Sequence, residues 1–262
     1  MAYERLDKVI ASMGQFSRKE VKKLARDGLI AVDGVPVRSA DMKCDPAEQV
    51  ITIKGQEFSY EKDIYLMLNK PAGVVTATRD AFNQTVMDLV PVKYRGRELF
   101  PVGRLDKDTE GLLLITNDGD LSHQLLSPGR HVDKEYLVSV EGPLDDAVVK
   151  AFAEGVKLSD GSLCRPASLK ILDEHVTMSV QAGEDFGREM IVTDADVIIR
   201  EGMYHQIKRM FGVFQRPVLS LKRIRMGSLK LDECLEPGMV RPLTKEEICS
   251  LKSRNQEADP LV

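Results

Sequence analysis

The segment 103–119, GRLDKDTEGLLLITNDG, constrains the fold of this chain more than any other. Three acidic residues, Asp106, Asp108 and Glu110, stand directly before the apolar run 112–115. A run this apolar predicts a strand that is buried on both faces, and the NDG that follows predicts a turn. The segment therefore places acidic side chains in a loop anchored on a rigid strand, an arrangement that can fix a reactive carboxylate.

The three acids of this loop are not equivalent. We expect Asp106 to lie deepest, and we interpret Asp108 and Glu110 as solvated loop residues. A buried aspartate needs a cation beside it. Residues 203–231 contain seven Lys and Arg and no acid, and Lys208 in this region is the expected partner of Asp106.

Two further stretches carry candidate chemistry. EGMYHQIKRMF reads as a turn that enters a helix, with Lys208 directed inward to a carboxylate and Arg209 outward to phosphate. His205 in the same stretch has no cysteine or carboxylate fixed to it by spacing, so a structural role is the simpler interpretation. KEYLVSV reads as a strand with Lys134 and Tyr136 on one face, where the tyrosine could stack on a base or belong to an ordinary strand.

The N-terminal 58 residues form a small unit by themselves. Apolar residues at helical spacing predict a first helix, and Ser17 with Glu20 has the spacing of a capping box at the start of a second, basic helix. Asp33-Gly34 between two β-rich runs predicts a hairpin.

The unit resembles the S4 RNA-binding domain through RLDKVIASMG, SRKEVKKLARDG and IAVDGVPV. The resemblance implies a surface for structured RNA. The residues that would contact the RNA backbone rather than read bases are Arg5, Ser17, Arg18, Lys19 and Lys22.

The rest of the chain alternates strand-like runs with turns and a few helical stretches. Because no regular strand–helix–strand alternation is present, we predict an α+β fold. The predicted boundaries are an N-terminal domain at 1–58, a linker at 59–63, a larger domain at 64–252 and a frayed tail at 253–262.

Composition and motifs exclude several classes of protein. The net charge is −4, but the basic residues are concentrated in segments that suit phosphates locally. Neither a phosphate-binding Gly-rich motif nor a zinc-type Cys or His spacing is present, so we expect no cofactor and no metal. No apolar run is long enough for a membrane span and the N-terminus does not read as a signal peptide, so we expect a cytoplasmic protein.

Five motifs occur in order along the chain: LNKPAG, GRLDKDTEGLLLITNDG, SPGRHVDKEYLV, EGMYHQIKRMF and LKRIRMGSLKLDECLEPGMVRPLTKEEI. Together they resemble the RsuA-type pseudouridine synthases, which carry an N-terminal S4 domain. The resemblance implies a small S4 (α-L-like) domain followed by a catalytic domain built on a mixed, mostly antiparallel sheet with flanking helices. The motif HQIKRMF is more similar to the corresponding motif of the small-subunit enzyme than to that of its large-subunit relatives.

The resemblance also implies residue roles. Asp106 matches the family nucleophile, Tyr136 its active-site tyrosine and Lys208 its basic partner for the aspartate. The Lys70-Pro71 pair matches a loop with a structural role. The residues that the family would place against the substrate are Arg104, Leu114, Ile207 and Arg209.

The implied reaction is the isomerisation of one uridine to pseudouridine in 16S ribosomal RNA, of the uridine 516 type. The implied partner is ribosomal RNA or a small-subunit assembly intermediate, bound by a monomer. The alternatives are a large-subunit 23S enzyme of the same family and a non-catalytic S4-type RNA-binding protein. A glycosidase with Asp106 and either Asp108 or Glu110 as its two carboxylates is disfavoured, because a sugar hydrolase has no need of an S4 unit.

Overall fold

The computed structural model describes residues 3–46, 48–58, 60, 63–94, 97–179 and 188–253. The chain divides into two compact units, one of residues 1–64 and 90–100 and one of residues 65–89 and 101–262. The sequence-based boundaries had assigned 90–100 to the second domain. This segment belongs to the first unit because Arg97 is buried and its guanidinium contacts the sulfur of Met13. The predicted linker and tail fall largely outside the described residues.

The first unit is an α+β arrangement of short elements. Its 3₁₀ turn is Val92–Tyr94, and its helices and strands are β1 Glu4–Arg5, α1 Leu6–Ser12, α2 Arg18–Arg26, β2 Ile30–Val32, β3 Val35–Pro36, β4 Lys43–Cys44, β5 Ile51–Ile53 and β6 Gln56–Phe58.

Local sequence signals account for these elements. The Ser17 side chain accepts from the Glu20 backbone N–H, and the Glu20 carboxylate accepts from the Ser17 N–H, so the predicted capping box is confirmed. Asp33 and Gly34 both have positive φ, at 50° and 77°, which a two-residue hairpin of this type requires. The apolar stripes of α1 and α2 pack into one core with β2 and β5.

The second unit contains the longer strands. Its 3₁₀ turn is Pro128–Arg130, and its helices and strands are β7 Tyr65–Lys70, β8 Phe100–Pro101, β9 Glu110–Thr116, α3 Gly119–Leu126, β10 Lys134–Glu141, α4 Asp146–Glu154, β11 Ser168–Ser179, β12 Arg188–Ile199, α5 Gln206–Val213, β13 Val218–Met226, β14 Leu229–Lys230, β15 Val240–Pro242 and α6 Lys245–Ser253.

The large sheet has the strand order β11-β12-β10-β13-β9-β7-β15, with β14 beside β13. Along this path β9 and β13 are parallel and the other pairs are antiparallel, so the prediction of a mixed, mostly antiparallel sheet is confirmed. Two helices were not predicted, α4 and α6. For α4 the signal was present: Asp145 caps the helix at Val148 N, and Phe152 is fully buried against the ring of Phe211.

The parallel contact between β9 and β13 depends on one glycine. Gly111 has φ +97°, and a Cβ there would lie 2.3 Å from the carbonyl oxygen of Arg223. Only glycine permits this approach. The start of β9, directly after the acidic loop, is therefore held against the middle of β13.

Candidate active site

The loop that carries Asp106 is fixed by hydrogen bonds on both sides of the aspartate. Before it, the Thr76 hydroxyl donates to the Leu105 carbonyl oxygen at 2.8 Å and accepts from the Leu105 N–H at 3.2 Å. After it, the backbone N–H of Thr109 donates to the Asp106 carbonyl oxygen at 3.1 Å. The backbone of Asp106 is therefore anchored to the fold and not merely to its own loop.

Lys70 makes three further hydrogen bonds at this loop. Its side chain is fully buried, and its ammonium donates to the carbonyl oxygens of Pro71 at 3.0 Å, Lys107 at 3.2 Å and Thr109 at 2.8 Å. Burial lowers the pKa of Lys70 to about 8, against the opposing attraction of nearby carboxylates. The contacts agree with the structural role that the resemblance implied for the Lys70-Pro71 pair.

Two side chains of the α5 region flank the Asp106 carboxylate. Lys208 Nζ lies 3.5 Å from Asp106 Oδ2, and His205 Nε2 lies 3.4 Å from Asp106 Oδ1. Asp106 is only 28% exposed, compared with 72% for Asp108. The carboxylate is thus held from two sides, and one of its neighbours is a histidine that no sequence motif placed there.

Asp108 departs from the prediction of a purely solvated loop acid. It is exposed, but its Oδ1 accepts a hydrogen bond from Lys208 Nζ at 2.5 Å, closer than the contact of Lys208 with Asp106. This hydrogen bond holds the pKa of Asp108 below its ordinary value. Lys208 therefore bridges two carboxylates, which side-chain spacing in the sequence could not show.

His205 owes its position to an unusual backbone conformation. It precedes α5 with φ 47° in the left-handed region, where non-glycine residues are uncommon. The ring of Tyr204 stacks on it with centroids 3.9 Å apart. This conformation turns the imidazole toward Asp106.

A cavity of about 870 Å³ opens beside Asp106 in the second unit. This volume lies within the range typical of small-ligand pockets. Of the residues predicted to act on a substrate, five line the cavity: Arg104, Asp106, Tyr136, Ile207 and Lys208. Tyr136 and Ile207 are buried apolar walls, whereas the charged groups of Asp106 and Lys208 are partly exposed.

Two of the predicted substrate contacts, Leu114 and Arg209, do not line this cavity. Leu114 is 1% exposed and packs in the core with residues such as Leu112 and Leu121 instead of lining the cavity. Arg209 does not line the cavity either: its guanidinium pairs with Asp160 and donates to the Tyr204 carbonyl oxygen.

The residues predicted to contact RNA lie in the first unit and differ in availability. Arg18, Lys19 and Lys22 are exposed on α2. Arg5 instead makes a two-point ion pair with the buried Asp7, through contacts of 3.0 Å and 2.9 Å. Ser17 uses its hydroxyl to cap α2. Lys22 lies 3.9 Å from Asp41 Oδ1, so Arg18 and Lys19 are the cations of this set that form no ion pair with the described residues.

Within the described ranges, no group of three or more His, Cys, Asp or Glu is arranged to hold a metal ion. Over the same residues, none of the helices has both the length and the apolar character needed to cross a bilayer.

A carboxylate fixed beside a cavity that a tyrosine and several cations line, in a chain that also carries a basic helical unit, suits an enzyme that attacks a nucleotide. Residues 64–212 match the family model described as RNA pseudouridylate synthase, and residues 4–50 match that of the S4 domain. The chain belongs to the RNA pseudouridylate synthase family, and the predicted resemblance is confirmed.

Similar proteins span nearly the whole chain. An uncharacterized RNA pseudouridine synthase of Bacillus subtilis is 41% identical over 93% of this chain and 96% of its own length. The ribosomal small subunit pseudouridine synthase A of Escherichia coli K12 is 38% identical over 94% and 99%, and that of Pseudomonas aeruginosa is 39% identical over 94% and 100%. A crystal structure of a pseudouridylate synthase, 35% identical, covers 94% of this chain and 99% of its own with a TM-score of 0.62.

Proposed function

We propose that this protein converts one uridine of small-subunit 16S ribosomal RNA, of the uridine 516 type, to pseudouridine, with Asp106 as the nucleophile. The observation that carries the proposal is the Asp106 carboxylate at the cavity, held between Lys208 and His205. The choice of the small subunit is supported by the names of the relatives from Escherichia coli and Pseudomonas aeruginosa.

The reaction suits a site made only of side chains. Pseudouridine formation breaks the N1–C1′ bond of uridine, turns the base and joins it through C5, so the atoms of the substrate are conserved and no redox step is needed. Asp106 can attack C1′ directly or stabilise positive charge there while a glycal forms. Lys208 and His205 contact the two oxygens of the carboxylate and restrict its orientation.

The walls of the cavity suit a flipped base. A nucleotide inside a folded RNA must leave its stack before an enzyme can reach its C1′ and C5 atoms. Enzymes that extrude a base hold it against aromatic and apolar side chains. Tyr136 and Ile207 supply such walls. Tyr136 also offers a phenolic oxygen as a proton acceptor, and exposed Arg104 at the cavity can meet the backbone of the target nucleotide.

The first unit would hold the RNA through its backbone. Arg18, Lys19 and Lys22 present positive charge on one helix and would neutralise phosphates without reading sequence. We propose that the protein acts in the cytoplasm as a monomer, on ribosomal RNA or on a partly assembled small subunit.

The Asp106→Asn variant tests the chemical assignment. It should lose turnover, measured as tritium release from 16S RNA labelled at uridine C5, while its affinity for the RNA stays within a few fold. Asp120→Asn, at an exposed helical position outside the cavity, is the control and should retain full turnover. Turnover that survives in Asp106→Asn refutes the role of Asp106.

The substrate assignment has a separate test. Pseudouridines in the ribosomal RNA of a strain that lacks this protein should be unchanged except for one position of the 16S RNA. A missing pseudouridine in 23S RNA would instead favour the large-subunit alternative, and an unchanged map would overturn both.

A further inference from the structure

Two buried cations line the cavity and have no carboxylate partner among the described residues. Arg223 is 2% exposed; its Nε donates to the Leu112 carbonyl oxygen at 2.8 Å, but its buried Nη2 has no hydrogen-bond partner. Lys134 is 8% exposed, and its ammonium makes one hydrogen bond, of 3.3 Å, to the Val132 carbonyl oxygen. Buried charges without partners are costly, so both groups have donors to spare for a ligand.

The sheet places these two cations beside Tyr136. In the β10–β13 ladder Tyr136 lies opposite Arg223, and Lys134 lies two residues earlier on the same face of β10. Leu221 lies two residues before Arg223 on β13 and also lines the cavity. Tyrosine, leucine and two cations therefore share one face of two neighbouring strands.

Burial indicates which part of a nucleotide would reach this face. Asp106 and Lys208, which must meet the sugar carbon C1′, are 28% and 23% exposed. Tyr136, Lys134 and Arg223 are all at most 8% exposed and form the floor of the cavity. With C1′ at Asp106, the sugar and its two phosphates would lie near Asp106 and solvent, and the base would be the group that reaches the floor.

We propose that Lys134 and Arg223 bind the carbonyl edge of the target uracil, so that they select uracil over cytosine and stabilise the negative charge that the base carries once it is detached. The proposal rests on the proposed function of the site. Uracil presents two carbonyl acceptors, O2 and O4, whereas cytosine has an amino donor at C4. A cationic donor facing C4 favours the first base and meets an unpaired donor in the second.

The same contacts assist the reaction. When the N1–C1′ bond breaks, its electron pair stays on uracil and spreads to O2 and O4. On the direct route Asp106 supplies a pair to C1′; on the glycal route the C2′–H pair forms the C1′=C2′ bond, and the C2′ proton passes to the carboxylate and returns to C2′ when C5 adds to C1′. When C5 bonds to C1′, uracil supplies the pair, the proton lost from C5 is balanced by one gained at N1, and the carboxylate is regenerated. Preorganised cations at the carbonyl oxygens stabilise the charge of the detached base throughout.

The lowered pKa of Lys134 and the partners of the nearby acids agree with a site that binds a hydrogen-bond acceptor. Burial, and next the charge of Arg223, lower the pKa of Lys134 to about 8, and Asp133 and Glu201 oppose this only from a distance. Both acids are engaged elsewhere: Asp133 accepts from Arg200, and Glu201 accepts from Gln206. A carbonyl oxygen of the ligand would add an acceptor to the carbonyl oxygens of Val132 and Leu112, which this pair already contacts.

A binding experiment tests the inference. The probes are short single-stranded RNAs that are identical except for one nucleotide, which is uridine, cytidine or a pyrimidin-2-one riboside that lacks O4. The wild-type protein should bind the uridine probe at least tenfold more tightly than the other two. Lys134→Met should lose that preference while its affinity for the pyrimidin-2-one probe changes by less than about threefold.

A second variant covers the case in which Lys134→Met fails to fold. Arg223→Lys keeps the buried charge but shortens the donor, and it should also reduce the preference for uridine. Lys222→Met is the matched control, because Lys222 is the neighbour of Arg223 on β13, alternates to the other face and does not line the cavity. It should bind all three probes as the wild-type protein does.

An equal loss of affinity for all three probes in both variants would overturn the inference, because it would assign the cations to phosphate binding or to the fold. A wild-type protein that does not discriminate among the probes would overturn it as well. The readout is binding and not turnover. A protein that discriminates as expected yet modifies no small-subunit uridine would therefore contradict the proposed function alone.

Discussion

The substitution Lys70→Met separates the stability of the catalytic loop from its chemistry. Lys70 makes three hydrogen bonds to carbonyl oxygens around the loop. Hydrogen bonds from a charged donor contribute about 2 kcal/mol each, so the substitution forfeits about 6 kcal/mol. The substitution also removes the cost of burying the charge of Lys70. A pKa lowered from 10.5 to about 8 corresponds to a cost of about 3 kcal/mol to the folded state at pH 7, which offsets about half of the loss. The net loss in the free energy of unfolding should be about 3 kcal/mol.

The loss of activity should be larger than this destabilisation explains. Without the ammonium of Lys70, the carbonyl oxygens of Lys107 and Thr109 are no longer drawn together, and the backbone that positions Asp106 relaxes. A displacement of about 1 Å in a reacting group can cost about 100-fold in rate. We therefore expect single-turnover tritium release to fall at least 100-fold under conditions where the variant is fully folded, with RNA affinity nearly unchanged.

Single-turnover kinetics and urea unfolding of the same preparations measure both quantities. Lys150→Met is the control, since Lys150 is 76% exposed on α4 and pairs only with Glu154 among the described residues. It should match the wild-type protein in both assays. If folded Lys70→Met reacted within threefold of the wild-type rate, Lys70 would not position Asp106.

Three further predictions follow from single features. Leu114→Ala should lower the free energy of unfolding by about 2–5 kcal/mol and leave the rate of the folded protein near normal. Ile207→Ala should instead reduce the rate per folded molecule. The reverse pattern would support Leu114 as the substrate contact. The double substitution of Arg18 and Lys19 to Ala should make the salt dependence of log affinity for 16S RNA shallower by about 1.5, and an unchanged slope would exclude α2 from the interface. The cationic form of Lys134 predominates below its pKa of about 8, so kcat/KM should fall as pH rises through 8. Lys134→Arg should move that fall to higher pH, and an unchanged profile would refute the assignment to Lys134 and favour Lys70, whose pKa is also about 8.

Part of the catalytic site could be predicted because its signals are local. An acidic loop before a continuous apolar run indicated an anchored carboxylate, and β9 has that position with residues 111–116 all buried. Alternation along β10 indicated that Lys134 and Tyr136 share a face, which the ladder with β13 confirms. Such signals depend on the 2.0- and 3.6-residue periods of strands and helices and need no knowledge of the tertiary structure.

Other parts could not be predicted because their partners are distant in the sequence. Leu114 belongs to a run buried on both faces, so periodicity could not tell which side the cavity occupies. Arg209 was expected to meet phosphate, but Asp160 lies close enough to pair with it. His205 reaches Asp106 only through a left-handed backbone conformation that no motif in the sequence announces.

The sequence by itself determined the family, the α+β class and the carboxylate at the centre of the site, because these follow from ordered motifs and from local periodicity. Only the tertiary structure decided what surrounds that carboxylate. Strand pairing set Arg223 opposite Tyr136, and the close approach permitted by Gly111 joined β9 to β13. Burial then left two cations without carboxylate partners on the cavity floor, and burial depends on how the whole chain packs.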